Sequence, residues 1–159
     1  MVFGCLTVKG QRHIETQEEA ACQAAPRRCL GERFEVEGLV GSGGMGVVFR
    51  CRDLLDGSPI ALKILQRPQY IAIERFAREA EMLASLVHPG IVRYVAHGIT
   101  PQGEPYLAMQ WLDGETLSDR IALGPIKADA TARLGAKVLG ALAVAHARGI
   151  VHRDLKPSH

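Results

Sequence analysis

The stretch that decides the fold is GSGGMGVVFRCRDLLDGSPIALK, Gly41 to Lys63. Glycines stand at Gly41, Gly43, Gly44 and Gly46. A residue without a Cβ lets a loop bend tightly and bring backbone N–H groups close to an anion. Dinucleotide-binding folds share the spacing G-x-G-x-x-G, so the residues after it decide between readings. A dinucleotide fingerprint requires a helix there. Val47-Val48-Phe49-Arg50-Cys51-Arg52 is instead β-branched and aromatic, which suits a strand. Asp53 to Pro59 reads as a turn, and Ile60 to Leu65 as a further strand. The glycines therefore cap a strand–loop–strand hairpin. A Walker A loop is excluded, because Val47 occupies the place of its lysine.

Side chains alternate along a strand, so Ala61 and Lys63 share one face while Ile60, Leu62 and Ile64 share the other. A small residue beside a lysine, next to a glycine loop, leaves room for a flat ring and supplies a cation for phosphate. A glycine-rich loop ending in Gly46-Val47-Val48, followed by Ala61-Leu62-Lys63, resembles the ATP-binding start of a eukaryotic-like protein kinase. A solvent-facing lysine on an edge strand is the plain alternative for Lys63 taken by itself, and the remainder of the chain bears on the choice.

The bulk properties narrow the class. A chain of 159 residues can bury a real core. A formal net charge of +2 gives no argument for nucleic acid or an anionic membrane. No apolar run reaches the roughly 18 residues of a membrane span, and the amino-terminal residues do not have the layout of a signal peptide, so the expected compartment is the cytoplasm. Cys5, Cys22, Cys29 and Cys51 form no C-x-x-C pair and, with His13, no zinc spacing. They read as free thiols.

Residues 1–32 show no sustained period beyond a weak helical pattern over Gln11 to Ala25, and read as a disordered leader. Arg33 to Val40 forms the first strand, running into the glycines. Ile71 to Val87 has helical periodicity, with Ala72, Ile73, Phe76, Ala80, Leu83, Leu86 and Val87 on one stripe and Glu74, Arg78, Glu81 and Ser85 opposite. Glu79 falls inside the apolar stripe, where a carboxylate needs a cation, and Lys63 is the nearest candidate. The alternative is that Glu79 sits at the margin and reaches water. His88-Pro89-Gly90 ends the helix. Ile91 to His97 and Pro105 to Leu112 read as the fourth and fifth strands. A short helix follows at about Leu117 to Leu123. A long one follows at about Ala128 to Arg148, with its polar sector at Asp129, Arg133, Lys137 and Arg148 and apolar surface over most of its circumference.

Ile150-Val151-His152-Arg153-Asp154-Leu155-Lys156-Pro157-Ser158 resembles the kinase catalytic loop almost letter for letter. The lysine two residues after the aspartate points to serine/threonine rather than tyrosine kinases. The chain is thus identified as resembling a Hanks-type serine/threonine protein kinase that stops after the catalytic loop. The resemblance implies an α+β fold. A small lobe of five antiparallel strands and one helix would cover about 33–112, and the first two helices of an incomplete large lobe about 113–159.

The resemblance also assigns roles. Val40, Val48, Ala61 and Met109 surround the adenine of ATP. The backbone of Gly41, Ser42, Gly43, Gly44, Met45 and Gly46 covers the phosphates. Met109, Gln110 and Leu112 belong to the gatekeeper and hinge. Lys63, held by Glu79, orients the phosphates. Asp154 accepts the proton of the attacking hydroxyl, and Lys156 steadies the γ-phosphate. Magnesium is implied for the family. However, no residue here is assigned to it, because His159 stands in place of the metal-binding asparagine and no Asp-Phe-Gly occurs. The implied partner is a protein substrate with serine or threonine. A kinase partner, or self-association through the long helix, would cover that helix's apolar surface. These 159 residues are expected to be inactive alone. Two alternatives remain open: a pseudokinase-like module that binds nucleotide or a partner without catalysis, and a broken reading frame.

Overall fold

The computed structural model describes residues 29–43, 46–66 and 70–158, the side chains of 70–72 excepted. Gly44, Met45, His159 and the helical pattern over Gln11 to Ala25 lie outside the described residues.

The glycine-bearing hairpin forms. Strand β2 (Phe34–Gly43) pairs antiparallel with β3 (Gly46–Asp53), from Phe34 opposite Asp53 to Gly43 opposite Gly46. Strand β4 (Pro59–Ile64) pairs with the other edge of β3. A two-residue strand, β1 (Cys29–Leu30), adds to β2, while β5 (Tyr94–Ile99) and β6 (Pro105–Gln110) complete an antiparallel sheet in the order β1-β2-β3-β4-β6-β5. The sheet therefore has six strands where the sequence indicates five, and the added one lies within the stretch read as a leader. Two residues carry no alternation to read. The turn that joins them to β2 is set by Gly31 at φ +64°.

Helix α1 (Tyr70–Ala84) crosses one face of the sheet. Phe76, Ala80 and Leu83 pack with Leu107 and Met109 of β6, and Leu65, Ile91, Val92 and Tyr94 close the cluster. Glu74, Arg78, Glu81 and Ser85 are exposed, as the helical period requires. The helix ends earlier than the apolar stripe suggests. The Ser85 hydroxyl donates back to the Met82 carbonyl at 2.6 Å, and Val87 beyond the end is 87% exposed rather than part of the packed face. The next strand likewise starts at Tyr94, not Ile91, because the chain is still turning there: the Ile91 amide donates to the His88 carbonyl at 3.0 Å.

The opposite face of the sheet holds Phe34, Val47, Cys51, Ile60, Leu62, Ile64 and Ala108. Cys51 is fully buried, and desolvation pushes its thiol up to about 12. At the rim, Asp53 is 2% exposed and accepts three hydrogen bonds from the Arg33 guanidinium at 2.7 to 3.1 Å. This pair ties the start of β2 to the end of β3.

Two helices follow the sheet. Helix α2 (Leu117–Ala122) begins with a capping box. The Thr116 hydroxyl accepts from the Asp119 amide at 2.9 Å, and the Asp119 carboxylate accepts from the Thr116 amide at 3.3 Å. Helix α3 (Ala128–His146) carries an i,i+4 ion pair between Asp129 and Arg133 at 2.9 Å. Ala145 packs with Leu86 and Ile150, which joins α3 to the end of α1, while Leu139 stays 67% exposed.

Candidate active site

Residues directly opposite each other in a sheet point to the same side. Val48 faces Lys63, Lys63 faces Leu107, and Ala61 faces Met109. Val48, Ala61, Lys63 and Met109 therefore line one face of three adjacent strands, the face that α1 also covers. Val48, Ala61 and Met109 are buried, and Lys63 is half-buried among them. Val40 is the extra residue of a β-bulge between the Leu39 and Gly41 pairings, which bends β2 next to the glycines.

The glycines divide into two kinds. Gly46 has φ +121°, and a Cβ there would collide with the Ile64 carbonyl oxygen and come within 3.1 Å of Leu65 Cα. Its lack of a side chain serves the packing of β3 on β4. A Cβ at Gly41 or Gly43 would meet nothing within 4 Å, and Ser42 between them is exposed. The fold leaves this backbone uncovered, as close approach by an anionic ligand requires. Gly44 and Met45, between the two ends, lie outside the described residues.

Lys63 and Glu79 act on each other through space. Burial lowers the pKa of the Lys63 ammonium, and the Glu79 charge raises it. Burial raises the Glu79 carboxyl, and the Lys63 charge lowers it. No hydrogen bond or salt bridge joins the two among the described residues, so their coupling is Coulombic without a direct ion pair.

At the end of β6 the Gln110 amide donates to the Arg93 carbonyl and the Trp111 amide to the Pro59 carbonyl, at 2.9 and 3.3 Å. The Gln110 side chain is exposed, and so is Leu112, whose amide donates to no backbone carbonyl among the described residues. An uncommitted donor beside an apolar face suits the edge of a planar heterocycle.

The loop after α3 makes a tight turn. Arg153 has φ 61°, uncommon for a residue with a Cβ, and the Asp154 amide donates to the His152 carbonyl at 2.9 Å. Such backbone costs about 1–3 kcal/mol and gathers at functional sites. The Lys156 ammonium donates to Asp154 Oδ2 at 2.9 Å, so the carboxylate and the cation present themselves as one unit, each part-exposed. The Ser118 amide at the start of α2 donates to the Pro157 carbonyl at 2.9 Å and anchors the loop.

The uncovered glycine backbone, the half-buried Lys63 and the apolar face fit a nucleoside polyphosphate. Among the described residues no group of three His, Cys, Asp or Glu side chains could hold a metal ion. No helix among the described residues is long and apolar enough to cross a membrane. Sequence reasoning passed over Arg50 and Trp111, which meet across the hinge side of the same face, the Arg50 guanidinium carbon 4.9 Å from the Trp111 ring centroid. The alternation Val48-Phe49-Arg50 places Arg50 on this face, but nothing in the sequence pairs it with Trp111.

The chain is similar to known proteins in sequence and in fold. A family model described as "Protein kinase domain" matches residues 34–159. Serine/threonine-protein kinase pkn3 of Myxococcus xanthus is 33% identical over 136 residues, covering 83% of this chain and 25% of that protein. Serine/threonine-protein kinase PknB of Mycolicibacterium smegmatis is 37% identical over 139 residues, covering 82% and 22%. The chain thus spans a quarter or less of the length of these relatives. The crystal structure of the Mycobacterium tuberculosis PknI kinase domain superposes with a TM-score of 0.71 at 28% identity, covering 85% of this chain and 56% of that one. The antiparallel sheet, the helix across it and the loop after α3 thus fall within the matched stretch: this chain belongs to the protein kinase domain family.

Proposed function

We propose that this chain binds ATP between its glycine-bearing hairpin and its hinge, and supplies that half of a domain that phosphorylates protein serine or threonine. The supporting observation is the shared face on which Val48, Ala61 and Met109 are buried around the half-buried Lys63. Val40, Val48, Ala61 and Met109 would hold the adenine, with the backbone at Gln110 and Leu112 along its edge. The backbone from Gly41 to Gly46, including Gly44 and Met45, would cover the phosphates, and Lys63 would hold them, with Glu79 keeping the ammonium charged.

Bound ATP supplies the γ-phosphoryl group. The substrate hydroxyl oxygen forms a bond to that phosphorus as the bond to the bridging oxygen of ADP breaks. The hydroxyl proton passes to the Asp154 carboxylate. Lys156, whose ammonium donates to the same carboxylate at 2.9 Å, would orient Asp154 and offer its charge to the transferring phosphoryl group. Positioning and charge stabilisation supply most of the rate in this chemistry. Transfer is assigned to the assembled domain, while a polypeptide of these 159 residues is expected to bind nucleotide without transferring it.

Calorimetric titration with ATP tests the binding step, with Lys63→Met expected to weaken it at least ten-fold. Equal affinity in the two proteins would refute the role of Lys63. A radiolabelled phosphotransfer assay beside Asp154→Asn tests the second half. Transfer clearly above that control by the 159-residue polypeptide would show that it needs no further chain to act.

A further inference from the structure

We propose that Arg50 is a positioning residue of the nucleotide cleft, which straps the glycine-bearing hairpin to the hinge through Trp111. The inference rests on reading this face as the nucleotide site. Arg50 lies two residues after Val48 and opposite Ala61, so it extends the same face toward the hinge. Its guanidinium lies over the Trp111 ring, 4.9 Å from the centroid, while its Nε donates to Glu37 Oε2 at 3.0 Å. Glu37 is the extra residue of a second β-bulge in β2, between the pairings of Val36 and Gly38. A bulge re-aims a side chain, and here the carboxylate spans two arginines. Its other oxygen accepts from Arg52 Nε and Nη2 at 3.1 and 2.9 Å. Beyond the ring, Trp111 Nε1 donates to Asp113 Oδ1 at 2.8 Å.

The chain of contacts Arg52–Glu37–Arg50–Trp111–Asp113 joins β2 and β3 to the segment after β6, passing over β4. It adds a side-chain link between the strands carrying the glycines and the segment carrying the Leu112 amide. Arginine is needed because one planar group must donate at its Nε edge while its face covers an aromatic ring, and a lysine cannot do both. The Arg50 side chain is 45% exposed, so the ion pair contributes little to global stability. Its effect falls on how far the two walls of the cleft are held in place before ligand arrives, which is an affinity term.

Trp111 is the single tryptophan of the chain, so intrinsic emission reports on the strap with no ligand present. Acrylamide quenching and ATP calorimetry on the full 159-residue chain, beside Arg50→Ala and Arg50→Lys, form the test. Both variants are expected to roughly double the quenching constant and to weaken ATP about five-fold, with the melting temperature unchanged within about 2 °C. Equal quenching in all three proteins overturns the strap. Raised quenching with unchanged ATP affinity overturns the positioning role. An unmodified chain that binds no ATP overturns the nucleotide reading itself and the positioning role with it. The quenching contrast, which needs no nucleotide, separates that failure from a failure of the strap.

Discussion

In Gly46→Ala the new methyl carbon would land on the Ile64 carbonyl oxygen, a backbone atom in the β3–β4 ladder with no rotamer to yield. The Ile64 carbonyl carbon at 3.0 Å and Leu65 Cα at 3.1 Å block escape to either side. The residue would also have to hold φ +121°, which costs an L side chain about 1–3 kcal/mol. Forcing a carbon into packed space adds about 1–3 kcal/mol more. For a chain of this size each kcal/mol moves the melting temperature by roughly 2–4 °C, so a loss of roughly 4–24 °C is expected. Gly41→Ala and Gly43→Ala meet nothing within 4 Å and need no positive φ. They should melt within about 2 °C of the parent while weakening ATP. Circular-dichroism melts of the three variants, with ATP calorimetry on those that fold, separate the two classes. A Gly46→Ala protein that melts with the parent, or a Gly41→Ala protein as destabilised as Gly46→Ala, would refute the division.

Arg33→Ala leaves the nearly buried Asp53 carboxylate without its cation and should cost about 2 kcal/mol by urea unfolding, a figure reduced for the part-exposure of Arg33. The pair holds Asp53 below its ordinary value, so its contribution is present above pH 3.8 and is lost as pH falls through the folded-state value; Arg33→Ala should flatten that acid limb. Lys63 titrates below 10.5 in the folded chain, so the unfolded chain binds more protons between the two values and stability rises with pH across that window. Lys63→Met should remove that rise in an alkaline unfolding series. Glu79→Gln should move the Lys63 side-chain resonance to a still lower titration midpoint by NMR, and an unmoved midpoint would refute the coupling. Thr116→Ala removes one half of the capping box and should cost about 1 kcal/mol. Because the Ser118 amide holds Pro157, hydrogen exchange at Ser118 should quicken in the same variant.

The hairpin, α1 and the loop after α3 were legible because their signals are local. Strand alternation placed Ile60, Leu62 and Ile64 in one core and Ala61 with Lys63 opposite, which is how they sit. The helical period likewise placed Phe76, Ala80 and Leu83 inward. Glu79 was recognised as anomalous because it broke that period, but the period carries no distance, and the direct ion pair it suggested is not formed. Strand β1 is shorter than any period, and Val87 looked packed only while the helix was extended past Ala84. The bulges at Glu37 and Val40 have no letter of their own: the extra residue is visible only against the partner strand. The contacts that depend on them, Glu37 with Arg50 and Arg50 with Trp111, were hidden for the same reason.

Cys51 turns the sheet into its own clock. The thiol lies fully buried in the sheet core, and its proton is held to about 12, so at pH 8 it offers a labelling reagent neither access nor thiolate. Cys29, exposed on the edge strand, reacts without any opening. Pulse alkylation followed by mass spectrometry on the Cys51 peptide therefore counts openings of the sheet centre one molecule at a time. With excess reagent the labelling rate gives the opening frequency, and with scarce reagent it gives the opening free energy. The interval between openings can then be compared directly with and without ATP, by means of a residue on the sheet face opposite Val48, Ala61 and Lys63.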